Sequence, residues 1–123
     1  MMMNIGLSVL QRQLEELGYV TYLLNNFVCF KYTIPHGRFR NQEVEIALEA
    51  PQFPLNPPSG PTFKPHLLPI TNGGGVHPHG GVHQRNQPSP DWQYWSRPFT
   101  NWSTTEKNAK TYLAFIRTLL DFE

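Results

Sequence analysis

Three histidines lie within seven residues near the middle of the chain, in the pattern His77-x-His79-x-x-x-His83. Zinc sites use closely spaced imidazoles, so this pattern is a candidate metal site. No cysteine, aspartate or glutamate lies among the three, and Asp91 is the nearest carboxylate in the sequence. A hydrogen-bonding role in a polar loop is therefore the alternative, and the pattern leaves both open.

Two serines follow the histidines, Ser89 and Ser96. A nucleophilic serine needs a base within hydrogen-bonding reach, and a loop histidine is the candidate base. Ser96 has the more constrained setting, since Trp95 and Pro98 flank the Ser96-Arg97 pair. Arg97 can stack on an indole ring or bind a carboxylate. The alternatives are turn formation for the serines and plain packing for the arginine.

The single cysteine, Cys29, is predicted to be structural. It lies between Val28 and Phe30 in a β-rich run, on the face opposite the predicted core. A reactive thiol needs exposure and a neighbouring base or cation. One cysteine cannot form an internal disulfide and suits a reducing compartment, so we expect a cytoplasmic protein.

The candidate histidines and serines all lie in one stretch, residues 51–102, which is rich in proline and glycine and is expected to hold almost no regular structure. Long loops in compact domains are normally either functional or disordered. Disordered segments are poor in aromatic residues, whereas this stretch holds all three tryptophans. We therefore predict an ordered functional loop. Five aromatic residues near its end form either a docking patch or the lid of the core: Trp92, Tyr94, Trp95, Phe99 and Trp102.

One helix is predicted before the strands in the sequence, and a second helix is predicted after the loop. Leucines at 7, 10, 14 and 17 recur at helical spacing, with Asn4 as the N-cap and Gly18 as the stop. The second helix is predicted to begin at a capping box over residues 103–106. Its apolar stripe contains Ala109, Leu113, Ile116 and Leu120.

Antiparallel strands are predicted between the helices. The runs 19–24 and 27–34 are β-rich and are joined by an Asn-Asn turn. In the run 43–50 apolar residues alternate with glutamates, which is typical of a strand with one wet face. Residues 61–65 are predicted to form a short strand at the sheet edge, where proline is tolerated. The expected fold is α+β, with both helices against one face of a three- to four-stranded meander.

Length and charge restrict the function classes. The chain has 123 residues, enough for one domain, 1–123, with one core. Charged residues make up 15% and the net charge is +1, which argues against a nucleic-acid partner because phosphate binding needs clustered lysine and arginine. No apolar run is long enough to span a bilayer, and no membrane partner is expected.

The order of these features resembles the ubiquitin-conjugating enzyme superfamily. In that family a strand is associated with Phe-Pro and Pro-Pro and then a phenylalanine, matched here by Phe53-Pro54, Pro57-Pro58 and Phe63. The likeness is to a divergent prokaryotic branch whose members carry an Ile/Leu-Pro-x-Gly turn, matched at residues 34–37. They also carry a Trp-x-x-Trp/Phe-Ser-Arg signature before a further tryptophan, matched at residues 92–97 and Trp102.

The chain departs from the family at the catalytic motif. His-Pro-Asn is matched by His77-Pro78-His79, and no cysteine follows it. The resemblance therefore implies one of two roles in a bacterial conjugation pathway. The chain is either an acyl transferase that carries a ubiquitin-like C-terminus as an oxyester on Ser96 or Ser89, or a cysteine-less module that binds a ubiquitin-like protein or its adenylating, activating enzyme. A histidine-based metal-binding or hydrolytic domain is the third possibility, and no cofactor is expected.

Overall fold

The computed structural model describes residues 5–65, 67, 82–83, 91–95 and 99–122. These residues confirm the α+β class, with a helix at each end of an antiparallel sheet. Within them, no helix has the length and apolar character needed to cross a membrane. The elements, in chain order, are α1 (Ile5–Glu16), β1 (Thr21–Leu24), β2 (Phe27–Thr33), β3 (Glu43–Glu49), β4 (Ser59–Lys64), β5 (Val82–His83), β6 (Gln93–Trp95), a 3-10 helix (Trp102–Thr104) and α2 (Ala109–Phe122).

Helix α1 packs on the sheet through the predicted leucine stripe. Leu7, Leu10 and Leu14 are buried, whereas Leu17 lies beyond the helix and is 44% exposed, so the predicted stripe was one turn too long. Gly18 ends the helix with φ +102°, as predicted. The predicted cap, Asn4, lies outside the described residues.

The hairpin between β1 and β2 forms where the Asn-Asn pair predicts it. Asn25 adopts a positive φ of 55°, and Leu24 pairs with Phe27 across the turn. The observed strands are shorter at their outer ends than the predicted runs, because pairing with a neighbouring strand covers residues 21–24 and 27–33.

Strand β4 lies inside the described sheet, so its predicted edge position was wrong. The strand order is β1-β2-β3-β4-β6-β5, and β6 pairs with the side of β4 that faces away from β3. A bulge accommodates Pro61. Ala47 pairs with Thr62 while Glu49 pairs with Ser59, so residues 60 and 61 stand opposite a single residue of β3. Such a bulge interrupts the hydrogen-bond ladder at a residue that cannot donate to it.

One face of the sheet packs against the helices. The other face was predicted to be exposed to solvent, but part of it is buried. Val28, Phe30 and Ile46 belong to the main core together with both helices. On the opposite face, Cys29 and Ala47 are fully buried with Trp92 in a second, smaller cluster. The alternation of apolar and polar residues in β3 did not reveal this cluster, because its cover comes from a segment 45 positions after Ala47.

Helix α2 begins at Ala109, later than the predicted capping box. Residues 102–104 form a 3-10 helix, and Lys107 has φ 55°, which interrupts the helical backbone. The N-cap is Asn108, whose Oδ1 accepts a hydrogen bond from the Thr111 N–H at 2.8 Å. A second free N–H is satisfied from α1, since Ala109 donates to the Gln13 Oε1 at 2.7 Å.

The stretch 51–102 contains more regular structure than predicted. Strands β5 and β6 pair with each other within it, and β6 also pairs with β4. Three residues of β6 are too few to show a strand period, so the pairing of distant segments defines this strand.

Candidate functional site

The predicted catalytic residues fall mostly outside the described part of the chain. His83 is described by its backbone, which pairs with Tyr94 in the outermost strand pair of the sheet. The roles assigned to all of them remain predictions. Five of the predicted catalytic and binding residues lie outside the described ranges: His77, His79, Ser89, Ser96 and Arg97.

The three tryptophans of the predicted binding segment are core residues. Trp92, Trp95 and Trp102 expose 2%, 0% and 4% of their surface. Their rings are therefore not available to a partner in this conformation. Of the two sequence-based alternatives, the lid of the core is what the structure shows for these three side chains.

Trp102 joins the proline-rich segment to the second helix. Its indole Nε1 donates a hydrogen bond to the Pro54 carbonyl oxygen at 2.9 Å. The centre of its ring lies 6.0 Å from the centre of the Phe53 ring and 5.3 Å from that of Phe99, which it meets edge-on. Phe99 in turn stacks on Phe115 of α2 at 4.4 Å. These contacts hold the end of the 51–102 stretch on the core.

Trp95 is held by a buried amide that the sequence analysis missed. Gln93 is fully buried, and its Oε1 accepts hydrogen bonds from the Trp95 Nε1 at 2.9 Å and from the Leu67 N–H at 3.1 Å. The Trp95 ring meets Phe63 of β4 edge-on at 4.7 Å. The available sequence signal was a glutamine two positions before a tryptophan, which would align both on one strand face.

Residues 96–98 lie in the sequence between two residues whose side chains are packed on the core. Trp95 on its N-terminal side is buried in β6, and Phe99 on its C-terminal side is packed against α2. Ser96 and Arg97 belong to this short segment. The role of Ser96 as a nucleophile stays a prediction.

The thiol of Cys29 is excluded as an acyl acceptor in this conformation. Cys29 lies within β2, as predicted, but the face opposite the main core buries it fully, which the sequence did not indicate. Burial raises the pKa of the thiol to about 11, and the Glu45 charge adds to this, while the Tyr22 hydroxyl and the Lys64 charge act against it. A thiol that is protonated and inaccessible is a poor nucleophile.

Trp92 covers this thiol from the outer face of the sheet. It shares the second cluster with Phe27, Cys29 and Ala47, and the Lys64 Nζ lies 5.6 Å from the centre of its ring. A cation at this distance over an indole is attracted by the ring electrons. Trp92 thus packs with Cys29 on this face, and the Lys64 charge lies over the Trp92 ring.

The described residues do not bring together three histidine, cysteine, aspartate or glutamate side chains that would hold a metal ion. The His77-x-His79-x-x-x-His83 pattern lies outside that search, so the metal-binding alternative is left as it stood.

Comparisons with known proteins add no assignment. No family model, no curated protein and no solved structure matches this chain.

Proposed function

We propose that the chain is a ubiquitin-conjugating-enzyme-like component of a bacterial ubiquitin-like protein conjugation pathway. The observation that supports the proposal is the contact between its two motif segments. The Phe-Pro segment meets the tryptophan segment through the Trp102–Pro54 hydrogen bond, and Phe63 meets Trp95. Sequence motifs that are separate along the chain thus pack together as one structural unit.

The buried thiol defines which conjugation chemistry is open to this chain. The sequence has one cysteine, and that cysteine is inaccessible. Carriage of a ubiquitin-like protein would therefore use a hydroxyl, for which Ser96 and Ser89 are the candidates. The same observation supports the second candidate function, a module that binds a ubiquitin-like protein or its activating enzyme without forming a covalent bond.

In the first case the reaction is acyl transfer to oxygen. The serine hydroxyl oxygen attacks the C-terminal glycyl carbonyl carbon of the ubiquitin-like protein, held as an adenylate or as a thioester on the activating enzyme. An ester bond forms as the bond to AMP or to the enzyme sulfur breaks. A loop histidine (His77, His79 or His83) accepts the hydroxyl proton, and the leaving group departs as AMP or as a thiol after protonation.

The test is incubation of the full chain with a bacterial ubiquitin-like protein, its activating enzyme and ATP, followed by intact-mass spectrometry. We expect an adduct that resists neutral hydroxylamine and is cleaved by base, as an oxyester should be. Ser96→Ala, Ser89→Ala and the double variant locate the bond. Cys29→Ala is the matched control and should form the adduct normally.

Two other results would reassign the chain. A stable complex without an adduct would make it a binding module. The absence of both a complex and an adduct would contradict the proposal. The metal-binding alternative would then be favoured if the purified protein binds a stoichiometric amount of metal and His79→Ala abolishes that binding.

A further inference from the structure

A cleft of about 250 Å³ lies between the sheet and helix α2, and none of its lining residues belongs to the 51–102 stretch. Two phenol rings come from the sheet side, and two cations come from the helix. An apolar floor lies between the cations along the helix. The lining residues are Tyr19, Tyr32, Lys110, Leu113, Ala114 and Arg117.

The positive charges of this cleft are available. Lys110 and Arg117 are exposed, and within the described part of the chain neither has a carboxylate oxygen within 4 Å. The acidic residue one turn after Arg117 is Asp121, and its carboxylate is paired with His36. Two unpaired cations on one wall of a cleft favour an anionic ligand.

The tyrosines add neutral hydrogen-bond donors. Burial raises the pKa of Tyr19 and that of Tyr32 above the ordinary value, so both phenols keep their protons at physiological pH. Neighbouring Leu113 and Ala114 supply apolar surface. Donors and cations above an apolar floor match a carboxylate on a short aliphatic stem, which is an aspartate or glutamate side chain.

The surroundings of the cleft favour an extended peptide over a small free anion. Lys110 also lines a cleft of about 330 Å³ beside the end of α1, where Leu17 is half-exposed. Tyr19 also lines a cleft of about 450 Å³ beside β1, where Val20 is 89% exposed. The three clefts follow one another through shared residues. Glu16 lines the cleft beside α1 and disfavours an acidic side chain there, whereas the cleft beside β1 holds both the exposed Val20 and Lys31. An acidic side chain therefore fits the central cleft better than the cleft beside α1.

We propose that this surface binds an extended acidic peptide segment of a partner protein. An aspartate or glutamate of the peptide occupies the central cleft with Lys110 and Arg117, and flanking apolar side chains pack on Leu17 and Val20. Conjugation chemistry is not required, so peptide binding and adduct formation succeed or fail separately.

The experiment is an NMR titration of the full chain with a five-residue acetylated peptide amide, Val-Ser-Glu-Ser-Val, whose glutamate and two valines share one face when the peptide is extended, and with a matched peptide in which glutamine replaces the glutamate. We expect saturable shifts of the backbone amides at 17–21 and 110–117. Arg117→Gln and Lys110→Gln should each weaken binding about tenfold, because each removes a charge-assisted contact. Arg12→Gln is the control, since Arg12 is exposed on α1 and lines none of the three clefts.

Three outcomes would overturn the proposal. The first is no shift at these amides with millimolar peptide. The second is equal binding of the glutamine peptide. The third is a site that responds to inorganic phosphate or to phosphatidylserine vesicles as strongly as to the peptide, which would show a small-anion or lipid surface. Unchanged spectra of the free variants, outside the substituted positions, confirm that each variant is folded.

Discussion

The indole Nε1 of Trp102 donates a hydrogen bond to the carbonyl oxygen of Pro54, 2.9 Å away and 48 positions earlier in the chain. The bond joins the proline-rich segment after β3 to the segment that leads into α2. Trp102 is 4% exposed whereas Pro54 is exposed, so the bond is partly buried at the edge of the core. It ties the start of the 51–102 stretch to its end.

Replacing Trp102 by phenylalanine should lower the free energy of unfolding by about 1–3 kcal/mol, because the bond to Pro54 and part of the ring volume are lost. Trp102→Ala should lower it by about 3–5 kcal/mol. Urea denaturation measures both. Leu55→Ala is the neighbouring control, since Leu55 is 70% exposed, and should change stability by less than about 0.5 kcal/mol. Equal losses in the phenylalanine and alanine variants would show that ring volume is not what stabilises this position.

Removal of the Tyr112 hydroxyl should leave stability unchanged or raise it slightly. The hydroxyl is buried and has no hydrogen-bond partner in the described part of the chain, and burial raises the pKa of the phenol. Burying an unpaired hydroxyl costs free energy, so Tyr112→Phe removes a cost of about 1 kcal/mol. Thermal denaturation compares it with Tyr112→Ala, which should be strongly destabilising. A loss above about 1 kcal/mol in the phenylalanine variant would reveal a partner for the hydroxyl.

The stability of the protein should fall between about pH 9 and pH 11, partly through Cys29. Burial raises the pKa of the folded thiol to about 11, above its ordinary value of 9.0, so the unfolded chain loses this proton first. The unfolded state then binds fewer protons than the folded state, and the free energy of unfolding falls as pH rises, by at most about 1.4 kcal/mol per pH unit. The measurement is a series of urea titrations at pH 7–11.

Cys29→Ala isolates this contribution, since tyrosines with raised pKa values add a fall of the same sign at high pH. The variant should lose less stability than the parent protein over the same pH range. Matching slopes for the two proteins would show that the thiol does not ionise differently on folding.

Asn108→Ala should destabilise the protein by about 0.5–2 kcal/mol, because Asn108 caps α2 through the Thr111 N–H. Ser103→Ala should change stability by less than about 0.5 kcal/mol, since Ser103 is exposed and lies before the helix begins. Urea denaturation distinguishes the two candidate caps. A larger effect at Ser103 than at Asn108 would return the helix start to the capping box.

The local sequence determined the elements whose signals are short-range. Helix α1, the turn at Asn25 and the buried face of β2 follow from leucine spacing, turn chemistry and alternation, each of which operates within a few residues. These patterns suffice for the α+β class.

The tertiary structure alone decided how distant segments meet. Strand β6 is defined by its pairing with β4. Cys29 is buried on the sheet face opposite the main core, where it packs with Trp92. The start of α2 depends on Asn108 and on Gln13, whose side chain accepts from Ala109 across 96 positions. Periodicity reports which face of an element is apolar, and the partner of that face is set by long-range packing, which no local pattern contains.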